Sequence, residues 1–173
     1  MYDSESALVG IVMGSDSDIA FMYQAVDTLK EFGIPYEVTI CSAHRSPDRA
    51  SIYASSASER GLKVIICGAG MAAHLAGVMA ASTILPVIAV PLSASPLAGL
   101  DSLLSSVQMP PGVPVATVAI NGARNAAVLA VQILAVADHD LATSLIDFKE
   151  KMAEGIDAKN RNLPSLLDAA AKK

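Results

Sequence analysis

The sequence predicts an α/β fold, a three-layer α/β/α sandwich built on a doubly wound parallel sheet, with a C-terminal helical extension. Three observations predict it. Short runs rich in Val and Ile recur along the chain, each followed by a Gly, Ser, Asp or Pro turn and then a helix-length segment. The runs are nearly continuous in hydrophobicity instead of alternating, as in strands covered on both faces. The 173 residues are 53% hydrophobic and only 17% charged, enough for one substantial core.

The first strand covers residues 7–13 and runs into Gly14-Ser15-Asp16-Ser17-Asp18. Its helix extends to about residue 32, where Gly33 is the stop and Pro35 follows. The second strand is 36–41, and its helix spans 47–60 with Gly61 closing it. Ser46-Pro47-Asp48 is a helix start: a hydroxyl N-cap, proline in the first helical position and an acid in the first turn. A third strand at 64–67 leads through a glycine-rich turn to a helix of small residues over 72–81. A fourth, 87–90, is followed by a Pro/Ser/Gly loop and a short helix near 100–107. The loop Met109-Pro110-Pro111-Gly112-Val113-Pro114 precedes a fifth strand at 115–120, a long helix at 123–137 and a polar amphipathic helix over 140–155. His139, between the last two, reads as a solvated turn residue. Residues 1–173 are read as one domain, with its core at about 7–137 and a C-terminal helix and tail at about 138–173. The alternation is flavodoxin- or Rossmann-like.

A net charge of −5 argues against a nucleic-acid partner, which usually meets a basic patch. Residues 64–100 carry no formal charge, long enough to suggest a membrane span. Gly68, Gly70, Gly77, Pro86, Pro91 and Pro96 cut that stretch into short pieces, and no Trp anchors flank it. It reads as the buried centre of a soluble protein without a membrane partner. Part of the apolar surface is expected to be covered between subunits. Cys41 and Cys67 lack metal-ligand or CxxC spacing and read as buried free thiols in a reducing cytoplasm. The start, Met1-Tyr2-Asp3-Ser4-Glu5, is acidic and lacks the basic region of a signal peptide.

Three turns at carboxyl ends of strands carry the chemistry, at the sheet edge where open α/β folds bind ligands. Ser42-Ala43-His44-Arg45-Ser46-Pro47-Asp48 sets an imidazole beside a guanidinium. The first side chain can move protons near neutral pH, and the second can hold an anion. Gly14-Ser15-Asp16-Ser17-Asp18 offers hydroxyls and a helix N-terminus suited to phosphate, an acid for ribose hydroxyls, or ordinary N-capping. It is neither GxGxxG nor a P-loop. Gly68-Ala69-Gly70-Met71-Ala72-Ala73-His74-Leu75-Ala76-Gly77 lets backbone approach a flat or anionic ligand, and serves tight helix packing equally well. His74 alone would be an ordinary structural histidine. The convergence of the three turns is the stronger signal.

These turns occur in one order and spacing with Gly99-Leu100-Asp101-Ser102-Leu103 and Val107-Gln108-Met109-Pro110. Together they resemble the class I N5-carboxyaminoimidazole ribonucleotide mutases, the PurE enzymes of purine biosynthesis, over about residues 7–155. Met71 and Ala76 stand where the commonest family pattern has Gly and Pro.

The resemblance implies an isomerase of IMP biosynthesis that moves a carboxylate from an exocyclic nitrogen to a ring carbon without ATP, metal or cofactor. The product would be 4-carboxy-5-aminoimidazole ribonucleotide. It implies His44 as the catalytic general acid and base, and Arg45 on the 5′-phosphate with Ser17 and Ser42. Ser15 and Asp18 would contact ribose or phosphate, and Gly70, Ala72, His74 and Leu75 would line the imidazole and carboxylate end. The Met109-to-Pro114 loop would close over the site. A cytoplasmic homo-octamer with sites at subunit junctions is implied as well. Three readings compete. A direct carboxylase using free carbon dioxide shares the fold, although His74-Leu75 favours class I. Pyridinium carboxylases usually carry this domain after an added N-terminal segment. A non-enzymatic nucleotide-binding module would leave His44 beside Arg45 unexplained.

Overall fold

The computed structural model describes residues 7–171. The acidic start, on which the signal-peptide reading rests, and the last two residues of the tail lie outside them. The chain divides into two compact units, one ending at Leu134 and one beginning at Ala135.

In the first unit, strands β1 (Val9–Met13), β2 (Tyr36–Ile40), β3 (Val64–Gly70), β4 (Val87–Leu92) and β5 (Ala116–Thr117) form one sheet. All pairings are parallel, in the order β2-β1-β3-β4-β5. Helices α1 (Ile19–Glu31), α2 (Pro47–Ser56), α3 (Leu75–Ser82), α4 (Leu100–Val107) and α5 (Ala123–Ala135) alternate with the strands. Right-handed crossovers in this order place helices on both faces, the doubly wound arrangement expected.

Burial explains why the strands read as apolar runs. β1 and β4 are buried throughout, and β3 is buried up to Gly68. On one face Val12, Ile65, Cys67 and Ala89 meet Ala50 and Ala54 of α2 and Leu75, Ala76 and Met79 of α3. Each large apolar side chain so buried contributes about 1.5–3 kcal/mol. On the other face the Met22 side chain of α1 lies against Gly68. Cys41 and Cys67 are free and buried.

Several boundaries differ from expectation, each for a local reason. The third helix begins at Leu75, not residue 72, because Met71 adopts φ 56°, outside helical geometry. β4 continues through Pro91. A proline lacks only the N–H, and here that group would face β5 beyond its last ladder partner, Thr117. β5 is two residues, not six. The chain stays beside β4, with Val118 N–H donating to Ala89 O and Asn121 N–H to Pro91 O. Three residues there span two on β4, so an extra residue breaks the ladder. α2 ends at Ser56, and turns carry the chain to Gly61 at φ 97°. Ser46 occupies the N-cap position, but its hydroxyl donates to Ser42 O at 3.0 Å instead of capping the helix.

The second unit is a single helix, α6 (His139–Ala170), far longer than the expected 140–155. It passes through Gly155 and Pro164. His139 is its first residue, not a turn residue, and Asp138 caps it by accepting from the N–H groups of Asp140 and Leu141. Among the described residues no helix is long and apolar enough to cross a membrane.

Candidate active site

In a parallel sheet of this order, β1 and β3 send their chains to helices on opposite faces, and a crevice opens at their carboxyl ends. A cleft of about 540 Å³ lies there, within the range of small-ligand sites. It is walled by the turns after β1, β2 and β3 and by Ala94 after β4. All ten residues singled out in the sequence line it: Ser15, Ser17, Asp18, Ser42, His44, Arg45, Gly70, Ala72, His74 and Leu75.

The first turn is held by a reciprocal capping box. The Ser15 hydroxyl accepts from Ser17 N–H at 3.4 Å, and Asp18 Oδ2 accepts from Ser15 N–H at 3.0 Å. Asp18 is only 5% exposed. Burial pushes its carboxyl above the ordinary range, against the pull of the Ser15 bond. Of the readings open for this turn, capping accounts for the Ser15 and Asp18 bonds. The exposed Asp16 carboxyl, accepting from the Ser15 hydroxyl at 3.0 Å, is held below its ordinary range.

The second turn divides its two functional side chains between the other two turns. Arg45 Nη2 donates to Gly14 O at 2.9 Å and Nε to the Ser42 hydroxyl at 3.4 Å, which fixes the guanidinium beside the first turn. A guanidinium has five donors, so most remain for an anion. His44 points the other way. Its Nε2 lies 2.9 Å from Nδ1 of His74 on the third turn, with the rings edge to face at 73°. The cleft therefore has a guanidinium toward one end and a pair of imidazoles toward the other.

The third turn is tightly wound. Ala73 N–H donates to Met71 O at 2.9 Å and also to the Ser105 hydroxyl of α4 at 3.0 Å. His74 N–H donates to Ala72 O at 2.8 Å. Met71 is left-handed and 61% exposed at the cleft. A side-chain-bearing residue in that conformation costs on the order of 1–3 kcal/mol. A Cβ added at Gly70 would fall 2.6 Å from Ala94 Cβ, so the turns after β3 and β4 touch there. Ala94 and Ser105 escape sequence reasoning, since neither bears a titratable group; Ser105 falls between the two halves of the fourth motif, Gly99–Leu103 and Val107–Pro110. Among the described residues no group of three or more His, Cys, Asp or Glu is placed to hold a metal ion.

Fold and cleft together define the class: a doubly wound α/β protein whose ligand site sits at the sheet's switch point. Within that class, residues 8–155 match the family described as AIR carboxylase, and the chain belongs to it. It is 53% identical over 163 residues to the N5-carboxyaminoimidazole ribonucleotide mutase of Pyrococcus horikoshii, covering 94% of this chain and 92% of that protein. The protein of the same name from Thermotoga maritima is 56% identical over 158 residues, covering 91% of this chain and 92% of that protein. A crystal structure of a PurE2 variant from Treponema denticola superimposes with a TM-score of 0.83 at 31% identity, covering 91% of this chain and 98% of that one.

Proposed function

We propose that the chain is a mutase of de novo purine biosynthesis, converting N5-carboxyaminoimidazole ribonucleotide to 4-carboxy-5-aminoimidazole ribonucleotide. One observation carries the reading beyond kinship. Adjacent residues of one turn, His44 and Arg45, face opposite ends of the cleft, toward His74 and Gly14 respectively. A ribonucleotide has the matching polarity, with a 5′-phosphate at one end and the reacting heterocycle at the other.

The chemistry balances without oxidant, reductant or external proton. The bond between the exocyclic nitrogen and the carboxylate carbon breaks, and His44 delivers a proton to that nitrogen as carbon dioxide leaves. The ring carbon then uses its π electrons to form a bond to carbon dioxide. The proton on that carbon returns to His44. Confinement gives recombination its advantage over encounter from bulk solvent. The small, apolar wall of Ala43, Ala69, Ala72 and Ala94 suits an apolar intermediate. Arg45 anchors the phosphate with Ser17 and Ser42.

A cytoplasmic homo-octamer with sites at subunit junctions belongs to the same proposal. Its support is the exposed apolar series Met152, Ile156, Leu163 and Leu167 along α6, a face suited to burial against another copy. A monomer by light scattering at micromolar concentration would contradict it.

The activity is tested by giving purified protein each aminoimidazole ribonucleotide, with and without bicarbonate, and following absorbance. The carboxyamino substrate should turn over without bicarbonate, and His44→Asn should abolish turnover while sparing binding. Near-normal turnover in His44→Asn overturns the assignment of His44. Activity only on the uncarboxylated nucleotide with bicarbonate makes the chain a direct carboxylase.

A further inference from the structure

We infer that Met71 is a substrate-contacting residue: its side chain covers the exposed face of the bound heterocycle and keeps released carbon dioxide in the cleft. The inference rests on the mutase reading above. Three observations on one residue carry it. The backbone of Met71 is left-handed, with φ 56°, a conformation glycine adopts freely and a methionine does not. Its surroundings enforce that geometry, because the N–H of Ala73 is held by both Met71 O and the Ser105 hydroxyl. The result places a long side chain on the wall of the cleft with 61% of its surface exposed, whereas Met22 and Met79 are buried in the core.

The rest of the apolar wall cannot do this work. Ala43, Ala69, Ala72 and Ala94 have no side-chain torsion to close with, and Leu75 is buried at 2% exposure. Met71 has three rotatable bonds and a polarizable thioether, which packs favourably on aromatic rings. A flat ring held between the phosphate anchor and the His44–His74 pair presents one face to this rim. In the open cleft, carbon dioxide released on that face would diffuse away and leave the decarboxylated amine. A methionine folded over the ring closes that path with an apolar surface that neither reacts with nor solvates the gas.

The test follows the carbon. The carboxyamino substrate is turned over in ¹³C-bicarbonate with carbonic anhydrase present, and both label in the product and free decarboxylated nucleotide are measured. Met71→Ala keeps the Cβ and removes the cover; Met71→Gly also removes the steric cost of the conformation; Met71→Leu restores apolar bulk. Loss of a contact of this kind raises label incorporation and escaped amine by roughly fivefold in the Ala and Gly variants. Met71→Leu returns both toward wild type, and Met71→Gly melts no lower than wild type. Wild-type label and unchanged KM in both small variants overturn the inference alone. A wild-type chain that leaves the ribonucleotide unchanged overturns the mutase reading and the inference with it.

Discussion

Gly70→Ala separates the geometry of the cleft from the stability of the fold. A Cβ at position 70 would lie 2.6 Å from Ala94 Cβ and 3.5 Å from Leu92 O. Carbon atoms pack best at about 3.5–4.0 Å, so the turns after β3 and β4 must part by roughly 1 Å. Neither methyl can rotate away; backbone has to move. Overpacking of this kind costs about 1–3 kcal/mol. For a chain of this size that lowers Tm by roughly 2–12 °C. Catalysis should suffer more, because a misplacement of about 1 Å costs on the order of 100-fold. Gly68→Ala is the control. Its Cβ would press on the Met22 side chain, whose Cγ lies 2.7 Å away and whose torsions can absorb the intrusion. Calorimetry and steady-state kinetics on both variants should give similar Tm losses but a much larger fall in kcat/KM for Gly70→Ala. Ala94→Gly in the same chain should restore it. Activity within threefold of wild type in Gly70→Ala, or no rescue by Ala94→Gly, would refute the reasoning.

Three further outcomes are expected. Arg45→Ala removes a charge-assisted bond worth about 1.5–3 kcal/mol, so KM should rise roughly 10- to 150-fold with a smaller change in kcat; an unchanged KM moves the phosphate site elsewhere. Burial pushes the thiols of Cys41 and Cys67 up, and the thiolate is the reactive form. Iodoacetamide at pH 8 should therefore label both only after unfolding, and labelling of the folded protein would contradict the burial of Cys67 in β3 or of Cys41 just after β2. Asp18, raised by burial, binds its proton more tightly folded than unfolded. Its stabilising share is thus complete below the unfolded value of about 3.9 and is lost as pH rises through the folded value. Stability of Asp18→Asn relative to wild type, measured by urea unfolding, should climb from pH 4 toward pH 7; a flat or falling difference would count against it.

Much of this molecule is legible in its sequence because burial on both faces leaves a strong mark. β1, β3 and β4 read as apolar runs for that reason, and the Gly, Ser and Pro clusters that end them mark the functional turns. Illegible features arise where tertiary contacts override local preference. Met71-Ala72-Ala73 is made of helix formers, yet Ser105 and the left-handed Met71 hold it as a turn. Gly155 and Pro164 look like stops, yet α6 runs through both. Gly in a helix costs only about 1 kcal/mol, and proline's missing N–H removes one bond from a helix of 32 residues. The bond between His44 and His74 joins residues 30 apart, and no spacing rule reports it.

That bond adds a partner to the proton chemistry read from the sequence, in which His44 is the general acid and base. With Nε2 committed to His74 Nδ1 at 2.9 Å, the nitrogen of His44 left for substrate is Nδ1. A hydrogen bond between two imidazoles needs one hydrogen between them, so a neutral pair has one outer nitrogen protonated and the other bare. A singly charged pair has both outer nitrogens protonated. When the charged pair gives up its proton from His44 Nδ1, the shared hydrogen comes to rest on His44 Nε2. Nδ1 is then bare, the state needed to take a proton back from the ring carbon. Under the proposed function, donor and acceptor are therefore the same atom in successive steps. His74 sets the tautomer between them, and neither imidazole has to turn.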